Sequence, residues 1–193
     1  MSRISLPAES ELTTEQMAVC KEVIAGKRGK IPAPMFAWIL NPELARRTQK
    51  LGEILRFETS IEPHLTELAI LICGRHWTAH LEWKAHKSYA LQAGLDPEII
   101  DDIAANRVPK FKEERAGVIY DVAISLFRSH RVPDALYKRA INVLGERGLM
   151  EVTAILGYYC LASFTLNTFQ LGLPENIAPE LNDPDFTLRV GEK

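Results

Sequence analysis

The chain is 193 residues long and carries 25 acidic against 23 basic side chains, a formal charge of -2 that excludes both a polyelectrolyte grip on nucleic acid and an acidic interaction tail. At 47% apolar and 25% charged it has the make-up of an ordinary folded protein, long enough to bury roughly 70% of its unfolded surface in one compact domain. The opening MSRISLPAES lacks an apolar signal core, and the longest clean apolar run, Leu68 to Cys73, is far shorter than the ~20 residues a bilayer span needs, so a soluble, cytoplasmic protein without a membrane partner is expected.

Thr13 with Gln16 has the spacing of a capping box, and Met17, Val19, Cys20, Val23 and Ile24 recur behind it until Gly26, which predicts a first helix. The segment KRGKIPAPMF has two prolines one residue apart and reads as an extended arm or loop. Asn41-Pro42 is a cap-and-proline helix start, with Leu44, Leu51, Ile54 and Leu55 as the expected buried stripe. Leu65 to Cys73 would pass for a buried strand, but no second strand is available to pair with it, so a helix is expected. Gly94 closes the next helix and Asp96-Pro97 opens another.

Val118 to Phe127 is amphipathic, Asp134 is read as the cap of a helix ending at Gly148, and a last helix from near Glu151 to about Gly172 is apolar on almost every side. Such a helix must be covered on most of its circumference, and burial between subunits is one way. The expected organisation is an N-terminal helix and arm (1–30), a helical domain (31–174) and an irregular C-terminal tail (175–193).

Glu67 to Leu95 holds most of the chemistry-bearing residues. In one straight helix, Glu67 and His86 would stand nearly 30 Å apart at ~1.5 Å per residue. Gly74 and Thr78 therefore read as a fold-back, with Thr78 as a new N-cap, into an antiparallel helical pair that lets Glu67 face His86. Glu82 and His86 are four apart and share a helix face with Ala79, while Trp83 would wall the pocket. A carboxylate beside an imidazole favours the imidazolium and fixes its tautomer, which suits acid/base work near neutral pH; a plain surface ion pair worth ~0.3–0.5 kcal/mol is the bland reading.

His76 and His80 share the i,i+4 spacing of metal ligands but lack a third, so no metal site is assigned, and no cofactor. His64 and His130 fall in expected loops. Cys20, Cys73 and Cys160 lie far apart with no C-x-x-C pair, which argues against a disulfide framework or dithiol centre and reads them as small core residues.

The stretch RFETSIEPHLTELAILICGRHWTAHLEWKAHKSYALQAGLDPEII, above all E-W-x-x-H followed by A-x-x-x-G-L, resembles the core of the carboxymuconolactone decarboxylase family, which includes the alkylhydroperoxidase D proteins. The similarity runs from about Ile31 to about Pro174. It implies an all-α bundle assembling as a homo-oligomer, trimeric or hexameric, acting on a small molecule. In the peroxidase branch a glutamate precedes a C-x-x-C pair and a histidine; these positions here are Glu67, Ala79, Glu82 and His86, so both thiols of that mechanism are missing. The resemblance then implies cofactor-free decarboxylation or a related lyase or isomerase step on a small organic acid or lactone. Glu67, Glu82 and His86 would be the catalytic group, with Arg56 or, second, Arg75 as a carboxylate clamp. Arg56 reads equally as an ion-pair partner of Glu53, Glu58 or Glu67. A thiol peroxidase and a non-catalytic binding oligomer are the alternatives.

Overall fold

The computed structural model of the chain describes residues 2–182, and every regular element among them is helical. Helix α1 (Thr14–Ala25) opens on the Thr13–Gln16 capping box, with Thr13 Oγ1 accepting from the Gln16 N–H at 3.2 Å and Gln16 Oε1 accepting from the Thr13 N–H at 2.9 Å. A short α2 (Met35–Trp38) follows the proline arm. Asn41 caps α3 (Pro42–Phe57) through its side-chain oxygen, 3.1 Å from the Leu44 N–H.

The centre is α4 (Pro63–His76), buried at every residue from Leu65 to Gly74 and packed on α3 and on all the helices that follow it. These are α5 (His80–Gln92), α6 (Pro97–Ala104), capped by Asp96, α7 (Glu114–Ser129) and α8 (Asp134–Thr168). Such a helix needs no amphipathic pattern, which is why its sequence is also compatible with a buried strand.

The fold-back lies where expected but is built differently. Gly74 stays helical and Thr78, instead of capping, takes a left-handed conformation (φ 47°), while the Ala79 N–H reaches the Gly74 carbonyl at 2.8 Å. Ala79 is thus the N-cap of α5, without a side-chain cap bond. A Cβ on Gly74 would lie only 3.5 Å from the Trp83 nitrogen, so the two helices meet closely here.

Other expectations are corrected. Of the stripe assigned to α3, only Leu55 is buried; Leu44, Leu51 and Ile54 are 47–50% exposed, and Ala45, Thr48, Gln49 and Gly52 face inward. Tyr158 and Arg28 crowd against Gly52, so that no side chain would fit there and this face of the helix is turned inward. The expected break at Gly148 lies instead at Gly145, whose φ of 74° a glycine adopts at little cost. Gly148 is helical and buried. Asp134 is the first residue of α8, and Pro133 occupies the cap position.

Helix α8 is long and apolar enough to cross a membrane, but it is mostly buried within this chain, against α3, α4, α5 and α7. Most of its cover is therefore intramolecular. Residues 175–182 are irregular and lie against the body through Leu181 and an ion pair of Glu180 with Lys87 at 2.6 Å. The rest of the expected tail, 183–193, lies outside the described residues.

Candidate functional site

Because α4 and α5 run back along one another, Glu67 and His86 come together. His86 Nδ1 lies 2.6 Å from Glu67 Oε2 and Nε2 lies 3.1 Å from Glu82 Oε1. All three residues are 5–7% exposed, so this is no solvated surface pair. Burial alone would lower the His86 pKa, but the charges of Glu67 and Glu82 and their hydrogen bonds outweigh it and hold the value at about 9. At neutral pH the ring is an imidazolium donating from both nitrogens.

Arg56, from the last turn of α3, donates from Nε to Glu67 Oε1 at 3.2 Å and lies over the Tyr89 ring, 3.9 Å from its centroid. It is thus the ion-pair partner of Glu67. Two carboxylates, one imidazolium and one guanidinium make a charge-balanced buried group.

This group borders a cavity of about 260 Å³, near the small end of ligand pockets (~300–1,000 Å³). Glu82 and His86 line it, with Arg56, Tyr89, Tyr158 and Tyr159, and the proline arm from Arg28 to Pro34 forms its rim. Arg28 supplies a cation outside the balanced group: its Nε and Nη2 are buried and make no hydrogen bond among the described residues. The Tyr159 hydroxyl is likewise buried without a partner, and burial pushes its pKa well up, so it stays a neutral donor. The Tyr159 ring lies edge-on to His86, with centroids 5.1 Å apart. Lys30 beside the Tyr89 hydroxyl lowers that pKa, with a smaller effect from the Arg56 charge.

Trp83, Ala79 and Arg75, expected at the site, are not among the residues lining this cavity. Trp83 is buried near Gly74, with Nε1 3.4 Å from Glu180 Oε2. Ala79 is buried in the hairpin turn, and Arg75 donates to the Ala104 carbonyl at 2.9 Å and the Asn182 carbonyl at 3.3 Å. Sequence reasoning in turn missed Arg28, Tyr158 and Tyr159. The tyrosine doublet inside an apolar helix was the available signal, since buried phenols need partners.

His76 stacks on Phe127 at 4.4 Å, and His64, placed in the first turn of α4, meets Glu113 at 2.9 Å. Among the described residues, no group of three His, Cys, Asp or Glu side chains is arranged to hold a metal ion. The cysteines belong to the core as expected: Cys20 and Cys73 are buried in it and Cys160 is half-buried against it, with the Cys73 thiol donating to the Leu156 carbonyl at 3.5 Å and Trp77 Nε1 donating to Cys160 Sγ at 3.1 Å.

No protein-family model and no curated protein matches the sequence. Solved structures do. An uncharacterized peroxidase-related protein from Silicibacter sp. TM1040 superposes with a TM-score of 0.73 at 17% identity, covering 91% of this chain and 92% of that one. The alkylhydroperoxidase AhpD core of an uncharacterized peroxidase-related protein from Ralstonia eutropha JMP134 gives 0.70 at 19% identity, covering 96% and 95%. At these identities the likeness defines the fold, an all-helical alkylhydroperoxidase D-like architecture.

Proposed function

We propose that the chain is a cofactor-free acid/base enzyme acting on a small organic acid or lactone, by decarboxylation or a related lyase or isomerase step. The observation that carries this reading is a buried Glu67–His86–Glu82 chain ending at a small cavity that also holds the unpaired guanidinium of Arg28.

Both ring nitrogens of His86 are bonded, so its proton reaches a ligand through Glu82, which lines the cavity. Glu82 is therefore the group that delivers a proton to the carbanion or dienolate carbon left by loss of carbon dioxide, and His86 recharges it. Glu67, held by Arg56, keeps His86 protonated and oriented. The carboxylate clamp passes from Arg56, engaged by Glu67, to Arg28, whose fork can take a carboxylate in two parallel bonds. Tyr159 donates to an oxygen that gains charge. A homo-oligomer belongs to the same reading, with Leu44, Leu51 and Ile54 on the contact surface.

The test is turnover of a panel of small unsaturated acids and lactones, with products read by mass spectrometry. Glu82→Gln and His86→Gln should each abolish turnover in protein that keeps its helical circular dichroism. Wild-type rates in both variants would reject the reading, and saturable binding without any product would leave a binding oligomer in its place. The peroxidase-related names of the neighbours bear on a second reading, thiol chemistry, against which stands the lining of this cavity, in which no cysteine is found among the described residues.

A further inference from the structure

The cavity at His86 has two distinguishable ends. At one, the Arg28 guanidinium and the Tyr158 hydroxyl meet over Gly52, and Arg28 Nε and Nη2 have no hydrogen-bond partner among the described residues. At the other, two cations flank the Tyr89 ring, with Arg56 Cζ 3.9 Å and Lys30 Nζ 5.7 Å from its centroid. Neighbouring rings join the ends: Tyr158 to Tyr159 at 5.2 Å between centroids, Tyr159 to His86 at 5.1 Å, and His86 to Tyr89 at 5.6 Å. The Glu82–His86 pair, which carries the proton, therefore stands between the unpaired guanidinium and the Tyr89 phenol. Every one of these side chains lines the same cavity.

The two ends suit different groups. The unpaired fork of Arg28 takes a carboxylate in two parallel bonds. The Tyr89 end favours an ionised oxygen: a hydrogen bond from Lys30 outweighs burial and, with a smaller effect of the Arg56 charge, lowers the pKa of the Tyr89 hydroxyl itself. A ligand hydroxyl set beside Tyr89 meets the same two cations, and Lys30 is exposed at the rim, where a proton can leave to water. Loss of carbon dioxide leaves an electron pair on carbon, and in a cofactor-free reaction the ligand's own atoms have to accept it. A conjugated path from the carboxylate-bearing carbon to an oxygen at the Tyr89 end is such an acceptor, and the flat walls of Trp38 and the three tyrosines suit a planar ligand of that kind.

We propose, resting on the acid/base reading above, that the substrate is a planar hydroxy acid whose phenolic or enolic hydroxyl is conjugated with the carbon that bears the carboxylate, bound with its carboxylate on Arg28 and its hydroxyl between Tyr89 and Lys30. The hydroxyl gives its proton to water. An electron pair from the oxygen then moves along the conjugated path while Glu82 delivers a proton to the carboxylate-bearing carbon, so a C–H bond forms there and the oxygen end becomes a ketone. The bond to the carboxylate breaks, carbon dioxide leaves, and the pair returns to the oxygen, which takes a proton back from water. His86 recharges Glu82. The hydroxy carboxylate and one proton thus give carbon dioxide and the decarboxylated hydroxy compound, and no external oxidant or reductant takes part.

The experiment mixes the full-length chain at pH 7 with the para-hydroxy forms of cinnamate and benzoate, and in parallel with their O-methyl ethers, their meta-hydroxy isomers and a set of unsaturated lactones, and follows each by mass spectrometry. A para-hydroxy acid should lose carbon dioxide and, in heavy water, gain one deuterium on the carbon that held the carboxylate. The ethers and meta isomers, which cannot pass the pair to an ionised oxygen, should remain intact. Tyr89→Phe should raise KM for the para-hydroxy acid about tenfold, the worth of one hydrogen bond to a charged group, while inhibition by plain benzoate, which lacks the hydroxyl, stays unchanged. Equal turnover of the O-methyl ethers would overturn the proposal, as would an unchanged KM in a folded Tyr89→Phe variant. Turnover of the lactones with both para-hydroxy acids left intact would overturn it too and leave the acid/base reading standing; no turnover of any compound would take both down.

Discussion

His86 is worth more to this protein than an ordinary helix-surface pair, because removing one member of a buried ion pair leaves an uncompensated charge costing about 3–5 kcal/mol. Glu67→Ala would strand Arg56 and leave His86 with Glu82 alone, and should lower the free energy of unfolding by that order in chemical denaturation. Glu82→Gln keeps an acceptor for Nε2 while removing a charge, so it is the milder probe of proton delivery. Arg28→Met removes the unpaired fork without breaking any existing bond. Its expected effect is a loss of about ten- to a hundredfold in affinity for a small carboxylate, measured by titration calorimetry, with little change in stability. The Glu82–His86 pairing was legible in the sequence because i,i+4 spacing on a helix is local geometry. The roles of Arg28 and Tyr159 were not, because they depend on how the proline arm folds over α8.

Among the elements, those closed by their own residues were readable: the Thr13–Gln16 box, Asn41-Pro42 and Asp96-Pro97 all cap helices where local chemistry says they should. Elements defined by their neighbours were not. The apolar side of α3 points outward because Tyr158 and Arg28 pack on Gly52, which no periodicity reveals. Gly145 and Gly148 are alike in sequence, and tertiary packing alone decides which breaks α8. Gly145→Ala should therefore cost roughly 1–3 kcal/mol, because φ 74° with ψ 169° is a backbone region essentially reserved for glycine, read as a lower midpoint in denaturant. A cost below the noise would mean that the break lies elsewhere.

At the scale of the whole molecule, Leu44, Leu51 and Ile54 form an apolar stripe that a lone subunit leaves in water. Light scattering of the full chain should give a trimer or hexamer, and Leu51→Glu should shift it toward smaller species; a wild-type monomer would contradict the homo-oligomer. Stability should also report the buried group. Folding raises the His86 pKa from 6.5 to about 9, so the folded state binds this proton more tightly than the unfolded one. That stabilisation is complete below pH 6.5 and is lost as pH climbs through about 9, a decline on the order of 3 kcal/mol that His86→Gln should flatten. The most direct measurement is the NMR titration of the His86 imidazole in the full-length protein. The ring should remain an imidazolium until about pH 9 and titrate lower in Glu82→Gln. A wild-type midpoint near the ordinary 6.5 would mean that the two carboxylates do not hold the proton, and the acid/base site would not stand.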